Sequence, residues 1–250
     1  MVPTLRLPAG IKACLFDLDG VLTQTAKVHA AAWKAMFDQF LRQRAEATGA
    51  PFREFDIDSD YARYVDGKPR EDGVKSFLES RGIDLPQGKP GDPPEAETVV
   101  GLGARKDQRF QQVLQDQGVE VYDGSVRFVE AVRDAGLRRA VVSSSRNTRE
   151  VLNITGIADL FEVRIDGVVA AEEGLPGKPA PDTFLAAAAK LSMDPKMCAV
   201  FEDAVSGVQA GRAGAFGYVI GVDRFGRPEV LREHGADIVV SDLSELLVDA

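Results

Sequence analysis

Asp17 and Asp19, separated only by Leu18 and followed by Gly20, are the first residues of this chain whose type and spacing could do chemistry. They follow the apolar residues 13–16, which read as a short buried strand, so both carboxylates emerge where that strand ends. Side chains alternate along a strand, but the adjacent glycine lets the backbone turn sharply, and both acids can then face one cleft. Carboxylates this close repel, and one keeps its proton near neutral pH unless a cation compensates them. Oxygen ligation with open positions left for a phosphate suits one Mg2+ ion. A solvated acidic turn has the same bare pattern, so the rest of the chain must decide.

A second acidic pair, Glu202-Asp203, ends another apolar strand at residues 198–201. Between the two pairs, a strand at 139–142 runs into Ser143-Ser144-Ser145-Arg146-Asn147. Hydroxyls and backbone donors at a strand end suit a phosphoryl group, and helix capping accounts for only one of the three serines. Lys178 stands in Gly177-Lys178-Pro179-Ala180-Pro181-Asp182, where prolines stiffen the loop that presents it. A surface lysine beside a helix start is the plainer alternative.

These groups have a coherent joint use in phosphoryl transfer. Asp17 attacks phosphorus and becomes an aspartyl phosphate, splitting one difficult displacement into two. Mg2+, held by Asp17, the Asp19 backbone carbonyl, Glu202 and Asp203, offsets repulsion between nucleophile and phosphate. Ser143 and Lys178 stabilise the transferring oxygens, and Asp19 moves the proton of the leaving or accepting hydroxyl. No Gly-x-Ser-x-Gly element or glycine-rich phosphate loop points to another mechanism.

Such a site requires a scaffold that brings distant strand ends together. After residue 122 the pattern alternates strand and helix: helix 125–135, strand 139–142, strand 162–165, helix 183–191, strand 198–201, and strands 218–222 and 238–240. An open parallel sheet places the carboxyl ends of its strands along one edge, so Asp17, Asp19, Ser143, Lys178, Glu202 and Asp203 can converge in one crevice. Residues 25–117 read differently. A long helix starts at Thr25 and runs toward residue 47, and further helical stretches fall at 59–65, 70–81 and 106–117. The intervening Pro86, Gly88, Pro90, Gly91, Pro93 and Pro94 exclude regular structure there. The expected fold is therefore α/β: a Rossmann-like parallel-sheet core (residues 1–24 and 118–250) with an inserted helical cap domain (25–117).

Thr25, His29 and Trp33 share one face of the first helix, a spacing that serves either a site or internal packing. The segment from Asp66 to Asp72 turns into a helix with Lys68 and Arg70 at its mouth, which suits phosphate binding, although a solvated charged turn reads the same way.

Composition narrows the classes. Hydrophobic residues at 44% and charged residues at 28% are ordinary globular values, against disorder or a membrane protein. A net charge of −9 argues against nucleic acid as a partner. No apolar run reaches membrane-spanning length and no secretory pattern opens the chain, so a cytoplasmic enzyme is expected; a monomer is the default assembly. Cys14 and Cys198 read as buried core thiols, without a disulfide framework or a zinc cluster.

Asp17-Leu18-Asp19-Gly20, Ser143, Lys178-Pro179 and Glu202-Asp203, in this order, resemble the four motifs of the haloacid dehalogenase superfamily, and they span almost the whole core. The finer resemblance is to its β-phosphoglucomutase subgroup, through Phe16 to Val21, Thr25, His29, Ala32-Trp33-Lys34, Gly67 to Asp72, Arg105-Lys106, Ser143 to Asn147 and Lys178 to Asp182. That resemblance implies interconversion of β-glucose 1-phosphate and glucose 6-phosphate, with β-glucose 1,6-bisphosphate as primer and intermediate. It also implies that Arg70 with Ser145, Arg146 and Asn147 holds the non-transferring phosphate, that Gly67, Lys68 and Lys106 line the cap side, and that His29 helps position Asp19. Thr25, Trp33 and Ser144 complete the expected substrate contacts. Lys68-Pro69 and the proline-rich stretch at 85–94 depart from the subgroup. A Mg2+-dependent sugar-phosphate phosphatase, with water as acceptor, is the nearest alternative, and a non-catalytic binding module on the same fold is the remote one.

Overall fold

The computed structural model describes residues 4–248. In chain order the elements are β1 (Thr4–Leu5), β2 (Ala13–Phe16), α1 (Thr25–Thr48), a π-helical segment (Ile57–Val65), α2 (Arg70–Ser80), α3 (Val99–Gln117) and α4 (Asp123–Asp134). They continue as β3 (Arg138–Val142), α5 (Thr148–Ile154), β4 (Val163–Ile165), α6 (Gly167–Glu172), α7 (Asp182–Lys190), β5 (Cys198–Glu202) and α8 (Val205–Ala213). The chain closes with β6 (Tyr218–Val222), α9 (Pro228–Glu233), β7 (Ile238–Val240) and β8 (Leu247–Val248).

Six strands form one sheet in the order β4-β3-β2-β5-β6-β7, every neighbouring pair parallel. β2 and β5 are buried along their whole length, which is why Ala13-Cys14-Leu15-Phe16 and Cys198-Ala199-Val200-Phe201 read as unbroken apolar runs. One face of the sheet is sealed by aromatic packing: Phe16 stacks on Phe201 with ring centroids 4.5 Å apart and meets Phe128 edge-on. The other face carries Leu15, Val142 and Val200 against Phe184, Ala187 and Ala188 of α7. Cys14 and Cys198 are free and buried, and burial pushes both thiols up, Cys198 to about 12, so both stay protonated and inert.

The structure divides into two compact units, Thr25–Gly118 on one side and residues up to Gln24 with those from Val119 onward on the other. The helical unit has its own core, in which Trp33 and Phe37 of α1 stack and Phe37 packs on Phe55 and Phe77. Gly118 goes with this unit and not with the sheet, because it caps α3 through its N–H to the Leu114 carbonyl at 3.0 Å.

The structure departs from the sequence reading at α3 and at the strand pair β1 and β8, among other short elements. The helix expected at 106–117 begins at Val99, since the Thr98 side chain caps it by accepting from Gly101 N–H at 2.9 Å. Gly101 and Gly103 hide that first stretch from a pattern based on propensity. The antiparallel pair β1 and β8 joins the two ends of the chain, and strands of two residues leave no periodic signal to read.

Candidate active site

β2 lies between β3 and β5, so the chain leaves the central strand in one direction and returns on its other side. At such a switch point the loops after neighbouring strands diverge and open a crevice at the carboxyl edge. Asp17 follows β2 directly and donates its N–H to the Phe201 carbonyl at 2.9 Å, which keeps it level with Glu202 at the end of β5. Ser143 follows β3 and is held by its N–H to Ile165 O at 3.0 Å. The loop after β4 and α6 carries Lys178 to the same edge, through a cis Lys178-Pro179 peptide.

The side chains converge. Lys178, 2% exposed, places Nζ 2.5 Å from Asp17 Oδ1, pairs also with Glu202, and donates to the Val142 carbonyl at 3.1 Å. The ammonium also lies over the Phe184 ring, 4.9 Å from its centroid. Burial alone would depress this ammonium, but the carboxylates of Asp17 and Glu202 outweigh it and raise its pKa. Lys178 is therefore a fixed positive charge.

Oxygens of Asp17, Glu202 and Asp203 all lie within 4.8 Å of one another, and all three residues are buried. Burial pushes the Asp17 carboxyl well above its usual range; Lys178 opposes the shift, while Glu202 and Asp19 add to it. One ammonium does not neutralise three buried carboxylates. A divalent cation would, and hard oxygen donors at this spacing are its natural ligands, so the residues present fit the metal ion that the site chemistry implies. Asp19 was expected among the ligands through its main-chain carbonyl. Its carboxylate lies outside the trio and accepts a hydrogen bond from Ser143 Oγ at 3.3 Å, which suits a proton carrier.

Two glycines are fixed by close approach. Gly20, at φ +86°, takes a conformation that side chains resist, and a Cβ there would sit 1.8 Å from Asp203 Oδ2. The turn after Asp19 is thus packed directly on the second acidic pair. Gly207 in α8 would likewise bring a Cβ to 1.9 Å from Glu202 Oε1. In the sequence Gly207 carries no sign that it makes room for a buried carboxylate.

The serine cluster is more local than expected. Ser143 Oγ accepts from Ser145 N–H at 3.0 Å, and Ser145 Oγ accepts from Asn147 N–H at 3.2 Å, so both hydroxyls shape the turn into α5. Ser144, Arg146 and Asn147 lie on the same turn, partly or fully exposed.

In the helical unit, Thr25, His29 and Trp33 of α1 are buried. His29 stacks on Phe110 at 4.2 Å, and its Nδ1 is 2.6 Å from Lys106 Nζ. An ammonium has only donors, so Nδ1 accepts and the ring proton is assigned to Nε2. Lys106 also lies 5.2 Å from the centroids of Trp33 and Phe110, a cation held over two aromatic faces. Arg70 pairs with Asp107 at 2.6 Å, and Lys68 donates to Ser76 Oγ at 3.0 Å beside the positive-φ turn at Gly67. Burial lowers the Lys68 ammonium despite Asp72 and Glu79.

With Asp17, Lys178 and the Glu202-Asp203 pair gathered at the carboxyl edge of a parallel sheet, the chain belongs to the haloacid dehalogenase-like hydrolases, whose family pattern matches residues 11–214. It is 58% identical over 246 residues to the β-phosphoglucomutase of Mycobacterium tuberculosis, covering 97% of this chain and 94% of that protein. It is 32% identical over 240 residues to the β-phosphoglucomutase of Bacillus subtilis, covering 96% and 93%. The crystal structure of β-phosphoglucomutase from Clostridium difficile superposes with a TM-score of 0.71 at 26% identity, covering 94% of this chain and 93% of that one. Among the described residues no helix is long and apolar enough to cross a membrane.

Proposed function

We infer that this chain is a β-phosphoglucomutase, interconverting β-D-glucose 1-phosphate and D-glucose 6-phosphate through an aspartyl phosphate on Asp17 and β-glucose 1,6-bisphosphate. The observation that carries the chemistry is Asp17 held by Lys178 beside Glu202 and Asp203, in a chain 58% identical over nearly its whole length to a protein of that name. In the forward direction the phosphoryl group on Asp17 passes to O6 of β-glucose 1-phosphate, giving the bisphosphate, while Asp19 takes the O6 proton. After the bisphosphate turns end for end, Asp17 attacks the phosphorus on O1. The O1–P bond breaks, Asp19 returns its proton to O1, and glucose 6-phosphate leaves with Asp17 phosphorylated again. Lys178 and Ser143 serve the oxygens of the transferring group.

One Mg2+ ion would be held by Asp17, Glu202, Asp203 and the Asp19 carbonyl, and would supply the charge compensation that an anionic nucleophile needs beside an anionic phosphate. For the remaining expected residues the proposal is recognition. Arg70 and the turn Ser144 to Asn147 take the non-transferring phosphate, and Thr25, His29, Trp33, Gly67, Lys68 and Lys106 contact or shape the site for the sugar. Arg70 must then exchange the Asp107 carboxylate for the phosphate.

The deciding experiment incubates the protein with Mg2+, β-glucose 1-phosphate and a trace of the bisphosphate, and measures glucose 6-phosphate against free phosphate. Glucose 6-phosphate is expected to predominate; release of mostly inorganic phosphate overturns the mutase in favour of a phosphatase. Mg2+ is also expected to stabilise the fold, by about 2.7 kcal/mol at a hundredfold excess over its dissociation constant. Protons compete for the same carboxylates, and Asp17 holds its proton unusually well, so the gain in melting temperature should be smaller at about pH 5 than at about pH 7.5. A melting temperature indifferent to Mg2+ at both pH values contradicts the assigned ligand set.

A further inference from the structure

Arg224 follows β6 at the carboxyl edge of the sheet, in a segment with no motif to mark it. Asp223 builds the turn that presents it: its N–H donates to Val240 O at 2.8 Å, and its Oδ1 accepts from the N–H groups of Phe225 and Arg227. The guanidinium then reaches across to the loop that carries the two aspartates. Nε donates to Gly20 O at 2.6 Å, Nη2 to Val21 O at 3.4 Å, and Nη1 to Ser241 O at 2.7 Å. The guanidinium carbon lies over the Tyr122 ring, 3.5 Å from its centroid. Ser125 Oγ adds a bond to the same Val21 carbonyl at 2.7 Å.

Gly20 is one peptide beyond Asp19, and its α-carbon is packed on the Asp203 carboxylate. The carbonyl that Arg224 grips therefore belongs to the unit that spaces the proton carrier from a metal ligand. We propose that Arg224 is a positioning residue for the reaction: it holds the Gly20-Val21 peptides so that Asp19 and Asp203 keep the separation that proton transfer and cation binding require. The proposal rests on the mutase reading for Asp19 and on the ligand set for Asp203. Nothing shorter or less forked does the same. A guanidinium reaches three carbonyls at once and stacks on an aromatic face, whereas an ammonium is a single point of donors.

Displacing reacting groups by about 1 Å costs on the order of 100-fold, so Arg224→Ala is expected to lower kcat about 10- to 100-fold while KM for β-glucose 1-phosphate stays within about twofold. The Mg2+ dissociation constant, measured by titration calorimetry without substrate, is expected to rise about tenfold in the same variant. Arg224→Lys should recover little of either loss. Tyr122→Leu, which keeps the arginine and removes the ring beneath it, should shift both quantities in the same direction by a smaller factor, and it tests the idea if Arg224→Ala does not fold. Wild-type kcat and Mg2+ affinity in Arg224→Ala, or a lowered melting temperature with both unchanged, overturns the proposal. Full recovery by Arg224→Lys overturns the requirement for a fork. The calorimetric arm does not depend on turnover, so a wild-type protein that releases phosphate defeats the mutase reading and leaves Arg224 to be judged by metal affinity.

Discussion

Replacing Asp17 by Asn is expected to abolish turnover, with a loss of at least about 10⁴-fold, because an amide of nearly the same shape cannot form the acyl phosphate. The fold should survive and even gain. Asp17 is 6% exposed, and its carboxyl is pushed upward by burial, with Lys178 opposing and Glu202 and Asp19 adding to the shift, so its ionised form is disfavoured in the absence of a divalent cation. Such a group binds its proton more tightly in the folded than in the unfolded chain, so stability without a cation falls as pH rises above the ordinary carboxylate range. The Asn variant removes that slope. Melting in chelator should therefore be equal to or above wild type at neutral pH, while the stabilisation by Mg2+ shrinks with the lost ligand. Residual mutase activity within about tenfold of wild type would place the nucleophile elsewhere.

Lys178→Ala should damage both stability and rate. The ammonium sits among Asp17, Glu202 and the Val142 carbonyl, and its removal strands buried carboxylates, at a typical cost of about 3–5 kcal/mol. Turnover should fall about 10²- to 10³-fold, since the same charge serves the transferring oxygens. Lys178→Met separates charge from packing: it keeps a buried aliphatic side chain of similar length and loses the ammonium. If charge is the cause, denaturant midpoints of both variants fall alike, and Mg2+ restores part of each by supplying positive charge to the same carboxylates. If Met restores wild-type stability, the lysine acts through packing. The raised pKa sets the pH window. Stability from the protonated amine is present below the unfolded lysine value and is lost only above the folded one, so no titration of Lys178 should appear in the pH range of ordinary assays.

How much of this was legible in the sequence follows from how local each signal is. Buried strands of a parallel sheet are continuous apolar runs, so residues 13–16, 198–201, 218–222 and 238–240 were readable, and with them the edge at which Asp17, Ser143 and Glu202 emerge. Polar residues at the ends of such runs stand out, because nothing in a buried strand would tolerate them alone. Those local signals are what the sequence offers toward a candidate site. The start of α3 was lost because two glycines oppose a helix that Thr98 caps and packing maintains.

Relations between residues far apart in the chain had to come from the tertiary structure. Gly20 looks like an ordinary turn glycine until the Asp203 carboxylate appears where its Cβ would be, and Gly207 looks like helix filler until Glu202 does. Ser143 and Ser145 looked like phosphate donors, and folding turned their hydroxyls toward their own backbone as well. Arg224 carries no sequence mark, because its partners are main-chain carbonyls, two of them some two hundred residues away, and every residue type supplies the same carbonyl. The chain's order of residues determined the chemistry on offer and the strands that carry it. Which carboxylate meets which cation, and what holds the reactive turn still, was decided by distances that only close packing sets.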